Sequence, residues 1–148
     1  SLWNEATRTP FIIYDPQNHS GNGRKCKEPV GLINVYKTLS DLVGLDAPDY
    51  IDGKSLKPWL RNPSKAIEQP AMTTWGRGNY TLRSKKWRYT RYFDGSEELY
   101  DHSDDPHEWK NLAESAEHQE VKRELAAEIP KNRHRGLKVQ NWFNHYQP

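Results

Sequence analysis

Six oxygen and imidazole donors, Asp101, His102, Asp104, Asp105, His107 and Glu108, fall within eight consecutive residues, dense enough to be imagined around a metal ion. The spacing is not that of an EF-hand, because no glycine follows at the required place and no acidic residue closes the loop. Asp104 and Asp105 instead suit the turn at Pro106, with acidic side chains ahead of a coming helix N-terminus. No metal is expected there.

A second pattern interleaves cations with rings, in Arg83-Ser84-Lys85-Lys86-Trp87-Arg88-Tyr89-Thr90-Arg91-Tyr92. Single-strand nucleic-acid platforms have this texture. Strand alternation accounts for it more simply: Trp87, Tyr89 and Arg91 share one face while Arg88, Thr90 and Tyr92 share the other, as in a half-exposed sheet. The formal charge of +2, from 22 basic and 20 acidic side chains, provides no global field for a polyanion, and nucleic acid is not an expected partner. Cys26 is the single cysteine, which excludes an internal disulfide and a multi-thiolate metal site. His19 stands alone in its loop, without a second ligand nearby in sequence. No run reaches the roughly 18 apolar residues of a membrane helix, so a membrane is not expected either.

These residues must be positioned by a chain of 148 residues whose mean hydropathy is only -1.08. A self-contained core would be small, and six Trp and eight Tyr must contribute much of its packing. Residues 11–14, Phe-Ile-Ile-Tyr, lie between Pro10 and Pro16 and read as a strand buried on both faces, whose partners would come from outside this chain. Leu32, Val35, Tyr36, Leu39, Leu42 and Val43 recur at helical spacing until Gly44 stops them. A Pro- and Gly-punctuated connector follows, in which Ser55 is placed to cap a short helix reaching Leu60. Residues 72–75, 80–83, 87–93 and 97–100 read as strands, separated by turns at Gly76-Arg77-Gly78, Ser84-Lys85 and Asp94-Gly95. The simplest arrangement is a four-stranded antiparallel meander. Val121, Leu125 and Ile129 then mark a helix over residues 116–129, closed by Pro130. In the basic tail, Trp142, Phe143 and Tyr146 follow no period, so order there would require the rings to dock.

Four blocks occur in the order found in type I sulfatases. The stretch Leu2-Trp3-Asn4-Glu5-Ala6-Thr7-Arg8-Thr9-Pro10-Phe11-Ile12-Ile13 resembles the sulfatase segment that follows the active-site histidine and lysine region. Glu28-Pro29-Val30-Gly31-Leu32-Ile33-Asn34-Val35-Tyr36-Lys37-Thr38-Leu39 resembles the next helix, and Asp52-Gly53-Lys54-Ser55-Leu56 resembles the connector after it. Glu98-Leu99-Tyr100-Asp101, followed by Asp104-Asp105-Pro106-His107-Glu108-Trp109-Lys110-Asn111-Leu112-Ala113, resembles the closing strand, turn and helix entry. The texture is most similar to iduronate-2-sulfatase-like bacterial enzymes. The resemblance implies an α/β fold: the last strand and helix of a large α/β domain, then a small four-stranded antiparallel sheet packed by a C-terminal helix. The corresponding divisions are residues 1–48 for the end of the large domain, 49–70 for a connector, 71–130 for the sheet subdomain and 131–148 for the tail.

The same resemblance implies that the chain is the C-terminal part of a longer sulfuric ester hydrolase, joined to an N-terminal region and inactive alone. The family's formylglycine and calcium would belong to that region. Cys26-Lys27-Glu28-Pro29-Val30 has Pro one place too late and Val where the nucleophile motif wants Arg, so no catalytic residue and no metal ligand is assigned. Arg8 would form a structural ion pair with the large domain. What remains is recognition of a sulfated carbohydrate or other sulfate ester. Trp75, Arg77 and Asn79 are the substrate-binding candidates: Gly76 and Gly78 permit a tight turn, Arg77 can pair with carboxylate or sulfate, and Trp75 offers a flat face to a sugar ring. The blander alternative is a hairpin turn with a solvated Arg and a core Trp. Two other readings remain open: a free-standing module for acidic glycans, and the C-terminal part of a related phosphodiesterase or phosphatase. Export to the periplasm, cell exterior or lysosome follows only by family analogy.

Overall fold

The computed structural model describes residues 2–130; the tail, with Trp142, Phe143 and Tyr146, lies outside the described residues. Four strands, β1 (Ala71–Thr74), β2 (Tyr80–Arg83), β3 (Trp87–Arg91) and β4 (Glu97–Asp101), form an antiparallel meander in sequence order. Leu82 pairs with Tyr89, which pairs with Leu99, so these three residues lie side by side on one face. Against them pack Ala113 and, from the C-terminal end, Leu125 and Ile129, completing the buried core. Full burial of each large aliphatic side chain contributes roughly 1.5–3 kcal/mol. The covering helix α4 (Gln119–Ala127) is entered through a 3-10 turn, Ala116–His118.

The other face is also closed, contrary to the expected half-exposed sheet. Thr81, Arg88 and Thr90 are buried there beneath Leu2, itself buried, and the short helix α1 (Asn4–Thr7). Strand alternation has the same signature whether the polar side meets water or a buried hydrogen-bonding layer, and here the chain's own beginning supplies that layer. Residues 111–113 protect the outer edge of β4. Asn111 Oδ1 accepts from the Leu99 amide at 3.0 Å, and the Leu112 amide donates to the Leu99 carbonyl at 2.8 Å. An otherwise open strand edge is thereby covered.

Before the sheet, a 3-10 turn (Leu32–Asn34) runs into α2 (Val35–Val43), and Gly44 ends that helix at φ 74°. The Thr38 hydroxyl donates to the Asn34 carbonyl and accepts from the Leu56 amide, tying α2 to the connector. The following helix α3 (Lys57–Arg61) begins after Leu56 rather than at the expected Ser55 cap. Ser55 Oγ still accepts from the Lys57 amide at 3.3 Å and donates to Asp41 at 2.6 Å, so it braces two helices. Leu32 in the 3-10 turn and Tyr36, Leu39 and Val43 along α2 remain exposed, as do Ile12 and Tyr14. Residues 11–14 form no strand among the described residues.

Candidate functional site

The turn between β1 and β2 carries the three recognition candidates. Gly76 and Gly78 adopt φ 64° and 82°, left-handed conformations that glycine takes without a Cβ clash. Asn79 holds the loop shut: its side-chain amide donates to the Trp75 carbonyl at 2.9 Å, and its Oδ1 accepts from the Phe93 amide at 3.0 Å. The second bond ties this turn to the one between β3 and β4. Gly78 is pressed against Phe93, where an added Cβ would lie 3.2 Å from Cδ2.

On this frame Trp75 is 56% exposed and Arg77 lies open to solvent. Trp75 is therefore outside the buried core of the described residues. Arg77 has no side-chain ion pair or hydrogen bond among the described residues. The structure brings the three candidates together with different tasks: Trp75 presents a ring, Arg77 an unneutralised cation, and Asn79 the brace.

A second polar assembly lies at the opposite end of the sheet, where β2 ends and β3 begins. Arg88 donates to the Leu2 carbonyl at 2.6 Å, to Asn4 Oδ1 and Thr7 Oγ1 at 3.2 Å each, and forms an ion pair through Nε with Glu108 Oε1. That Nε contact is electrostatic rather than an aligned hydrogen bond. Glu108 Oε1 also meets His102 Nε2 at 2.8 Å, while Oε2 accepts from the Asn4 amide at 3.0 Å. Burial lowers the Arg88 pKa, and the Glu108 charge opposes the shift. Burial also depresses Arg83, to about 10, assisted by repulsion from Arg88. His102 is pushed below its ordinary value by burial, then by Arg83, against the pull of Glu108. The assembly thus gathers two guanidinium side chains, one carboxyl group and one imidazole around the start of β3.

The dense donor run is thus divided among structural tasks. Asp101 accepts from the Ser103 amide and pairs with Lys86, Glu108 enters the Arg88 assembly, and Asp105 accepts from the Lys110 amide at 2.8 Å. Among the described residues no three His, Cys, Asp or Glu side chains gather to hold a metal ion. Cys26 lies in an exposed loop, and its flanking residues do not fit the formylglycine motif. In the run of cations and rings, Arg88 is buried and Arg83 donates to the turn carbonyls of Ser84, Lys85 and Trp87. These two cations are not displayed to a ligand. The pairing of Arg88 with Glu108 was missed by sequence reasoning, since alternation gave Arg88 a face shared with Thr90 and Tyr92 but no partner, and Glu108 was read only within the run of donors near Pro106.

Residues 1–135 match the family model described as "N-sulphoglucosamine sulphohydrolase, C-terminal". The chain is 34% identical over 131 residues to a "Sulfatase" of Formosa agariphila, an alignment covering 88% of this chain and 25% of that protein. It is 30% identical over 160 aligned positions to a "Delta 4,5-hexuronate-2-O-sulfatase" of Bacteroides thetaiotaomicron, covering 94% and 32%. Among solved structures, the phosphonate monoester hydrolase of Agrobacterium radiobacter shares the fold, with a TM-score of 0.62 at 22% identity over 78% of this chain and 27% of that one. The chain therefore spans about a quarter to a third of the length of these relatives.

Proposed function

Because the chain belongs to the N-sulphoglucosamine sulphohydrolase C-terminal family, we propose that it serves as the C-terminal part of a sulfatase hydrolysing sulfate esters of a carbohydrate. It supplies recognition loops; the remainder of the parent supplies the nucleophile, formylglycine and calcium. The observation that carries the recognition role is the hairpin at residues 75–79, a braced two-glycine turn that exposes both an indole and a guanidinium with no ion pair among the described residues. An indole covers the apolar face of a pyranose, and a guanidinium pairs with a carboxylate or a sulfate. The sulfatase relatives favour sulfuryl over phosphoryl chemistry, and the relative named for a hexuronate 2-O-sulfate supports a sulfated saccharide as substrate.

The open apolar surface supports a joined parent over a free-standing glycan module. Tyr36, Leu39 and Val43 form an exposed stripe on α2 that follows exposed Leu32 in the 3-10 turn, and Ile12 is 88% exposed. In this reading the N-terminal region covers that stripe and pairs residues 11–14, within the proposed division of the chain at residues 48, 70 and 130. The iduronate-2-sulfatase-like subtype and export from the cytoplasm belong to the same proposal. So do the lack of catalytic residues in this chain and the lack of nucleic-acid or membrane partners.

The test compares Arg77→Ala with the unaltered enzyme in the full-length parent. An anionic saccharide sulfate should lose at least about tenfold in kcat/KM, the equivalent of one charge-assisted hydrogen bond. An aryl sulfate lacking a second charge should change little. Equal losses on both substrates would remove Arg77 from recognition.

A further inference from the structure

Glu108 is the one non-glycine residue with positive φ among the described residues, at 60°. A side chain in that region carries backbone strain that its surroundings must hold in place. The surroundings here are known atom by atom: the carboxylate is 3% exposed and is fixed by Arg88, His102 and the Asn4 amide. A second clamp follows immediately, because the Lys110 amide donates to Asp105 Oδ2 at 2.8 Å. Hydrogen bonds from this backbone hold the Asp105 carboxyl below its usual range. A short loop is therefore anchored at its centre and across both ends.

The residues on either side of that anchor point their rings outward and against each other. His107 and Trp109 stack at 5.1 Å between centroids with 22° between planes, and Trp109 is 85% exposed. An exposed indole backed by a second ring, on a backbone fixed by buried charge, has little conformational freedom to lose on binding. It also lies at the other end of the sheet from the hairpin at residues 75–79, since the turn between β3 and β4, which Asn79 contacts, is opposite the His102 end of β4. A five-residue strand separates these ends by roughly 15 Å, more than one sugar ring spans.

We infer that His107 and Trp109 form a second saccharide subsite, in which Trp109 stacks on the apolar face of a pyranose distant from the sulfate being cleaved. The inference rests on the parent's acting on a glycan, and it assigns Glu108 as the positioning residue of the platform. His107 supports the indole from behind and fixes its plane. The subsite discriminates by chain length, because only an oligosaccharide reaches it while its sulfated unit occupies the catalytic region.

The experiment uses the full-length parent with Trp109→Ala and Trp109→Phe, assayed on a sulfated glycosaminoglycan tetrasaccharide, the corresponding disaccharide and p-nitrophenyl sulfate. For Trp109→Ala the KM for the tetrasaccharide should rise about fivefold to tenfold, as expected for loss of one ring contact. Its kcat, and both constants for the two short substrates, should stay within about twofold. Trp109→Phe, which keeps a ring, should recover most of the loss. A uniform fall on all three substrates with a lower Tm would make Trp109 a packing residue and overturn the subsite, as would no change on any. If the unaltered parent releases sulfate from none of them, the sulfatase reading fails separately. Calorimetric binding of the tetrasaccharide then decides the subsite: weaker binding by Trp109→Ala supports it, and equal binding or no binding by the unaltered protein overturns it.

Discussion

Arg88 on β3 and Glu108 beyond β4 form an ion pair almost closed to water, with side chains 1% and 3% exposed. The pair joins three parts of the chain, because Arg88 also binds the Leu2 carbonyl and Glu108 receives the Asn4 amide. Removing one partner strands the other charge in a site that no longer neutralises it. Glu108→Ala should therefore destabilise the protein by about 3–5 kcal/mol. Replacing both by Met and Leu should cost less than the sum of the single changes, measured by urea denaturation in a double-mutant cycle. Additive losses would show that the two charges do not act as a unit.

His102 predicts how that assembly responds to acid. Burial, and then Arg83, holds its pKa below the ordinary 6.5. As pH falls through 6.5 the unfolded chain takes up a proton that the folded chain does not, so stability is full above that value and declines below it. Further loss begins as pH falls through the ordinary carboxyl values, 4.5 for Glu97 and 3.8 for Asp101, because both are held lower in the folded chain. Burial opposes ionisation of Glu97, but hydrogen bonds from Tyr89 and Lys122 prevail. Burial likewise opposes ionisation of Asp101, but the Ser103 amide and Lys86 prevail. Urea midpoints between pH 8 and 5 should fall for the unaltered protein and flatten for His102→Gln. An unchanged slope in the variant would assign the acid response elsewhere.

The braced hairpin gives a prediction that separates support from contact. Gly78→Ala places a Cβ at φ 82° and 3.2 Å from Phe93 Cδ2, so it should cost about 1–3 kcal/mol of stability. Asn79→Ala removes the bonds to the Trp75 carbonyl and Phe93 amide, while leaving Trp75 and Arg77 in place. Its KM for an anionic saccharide sulfate should rise in the same direction as for Arg77→Ala, by a smaller factor. A larger effect than Arg77→Ala would make Asn79 itself the principal substrate contact.

The exposed stripe on α2 should govern how the 148-residue chain behaves alone. It should self-associate and bind a hydrophobic dye, and Leu39→Ser with Val43→Ser should reduce both. In the parent the same pair should lower Tm, because the stripe is then an internal contact. Sedimentation of the isolated chain as a dye-negative monomer would count against the joined parent.

Much of this architecture was legible in local sequence signals. Period-two alternation and paired turn residues located four strands, and Gly44 marked the end of α2, because these features are fixed by neighbouring residues. The Asn111-Leu112-Ala113 stretch was recognised without its task, the covering of the β4 edge. The burial of Arg88 was not legible for a different reason. Its partners lie 20 residues later and more than 80 residues earlier, and a buried polar layer repeats with the same alternation as a wet one. The left-handed Glu108 was equally hidden, since a glutamate gives no local sign of positive φ. The hairpin candidates were legible because two glycines announce a tight turn, whereas the brace from Asn79 to Phe93 depends on how two turns meet.

Release of inorganic sulfate is the most direct measurement of the division of labour proposed for this chain. The full-length parent and the 148-residue chain should be assayed side by side on a sulfated saccharide with calcium present. The parent should turn over and the chain alone should release nothing. Reproducible sulfate release by the isolated chain, or none by an intact parent carrying formylglycine, would contradict the account.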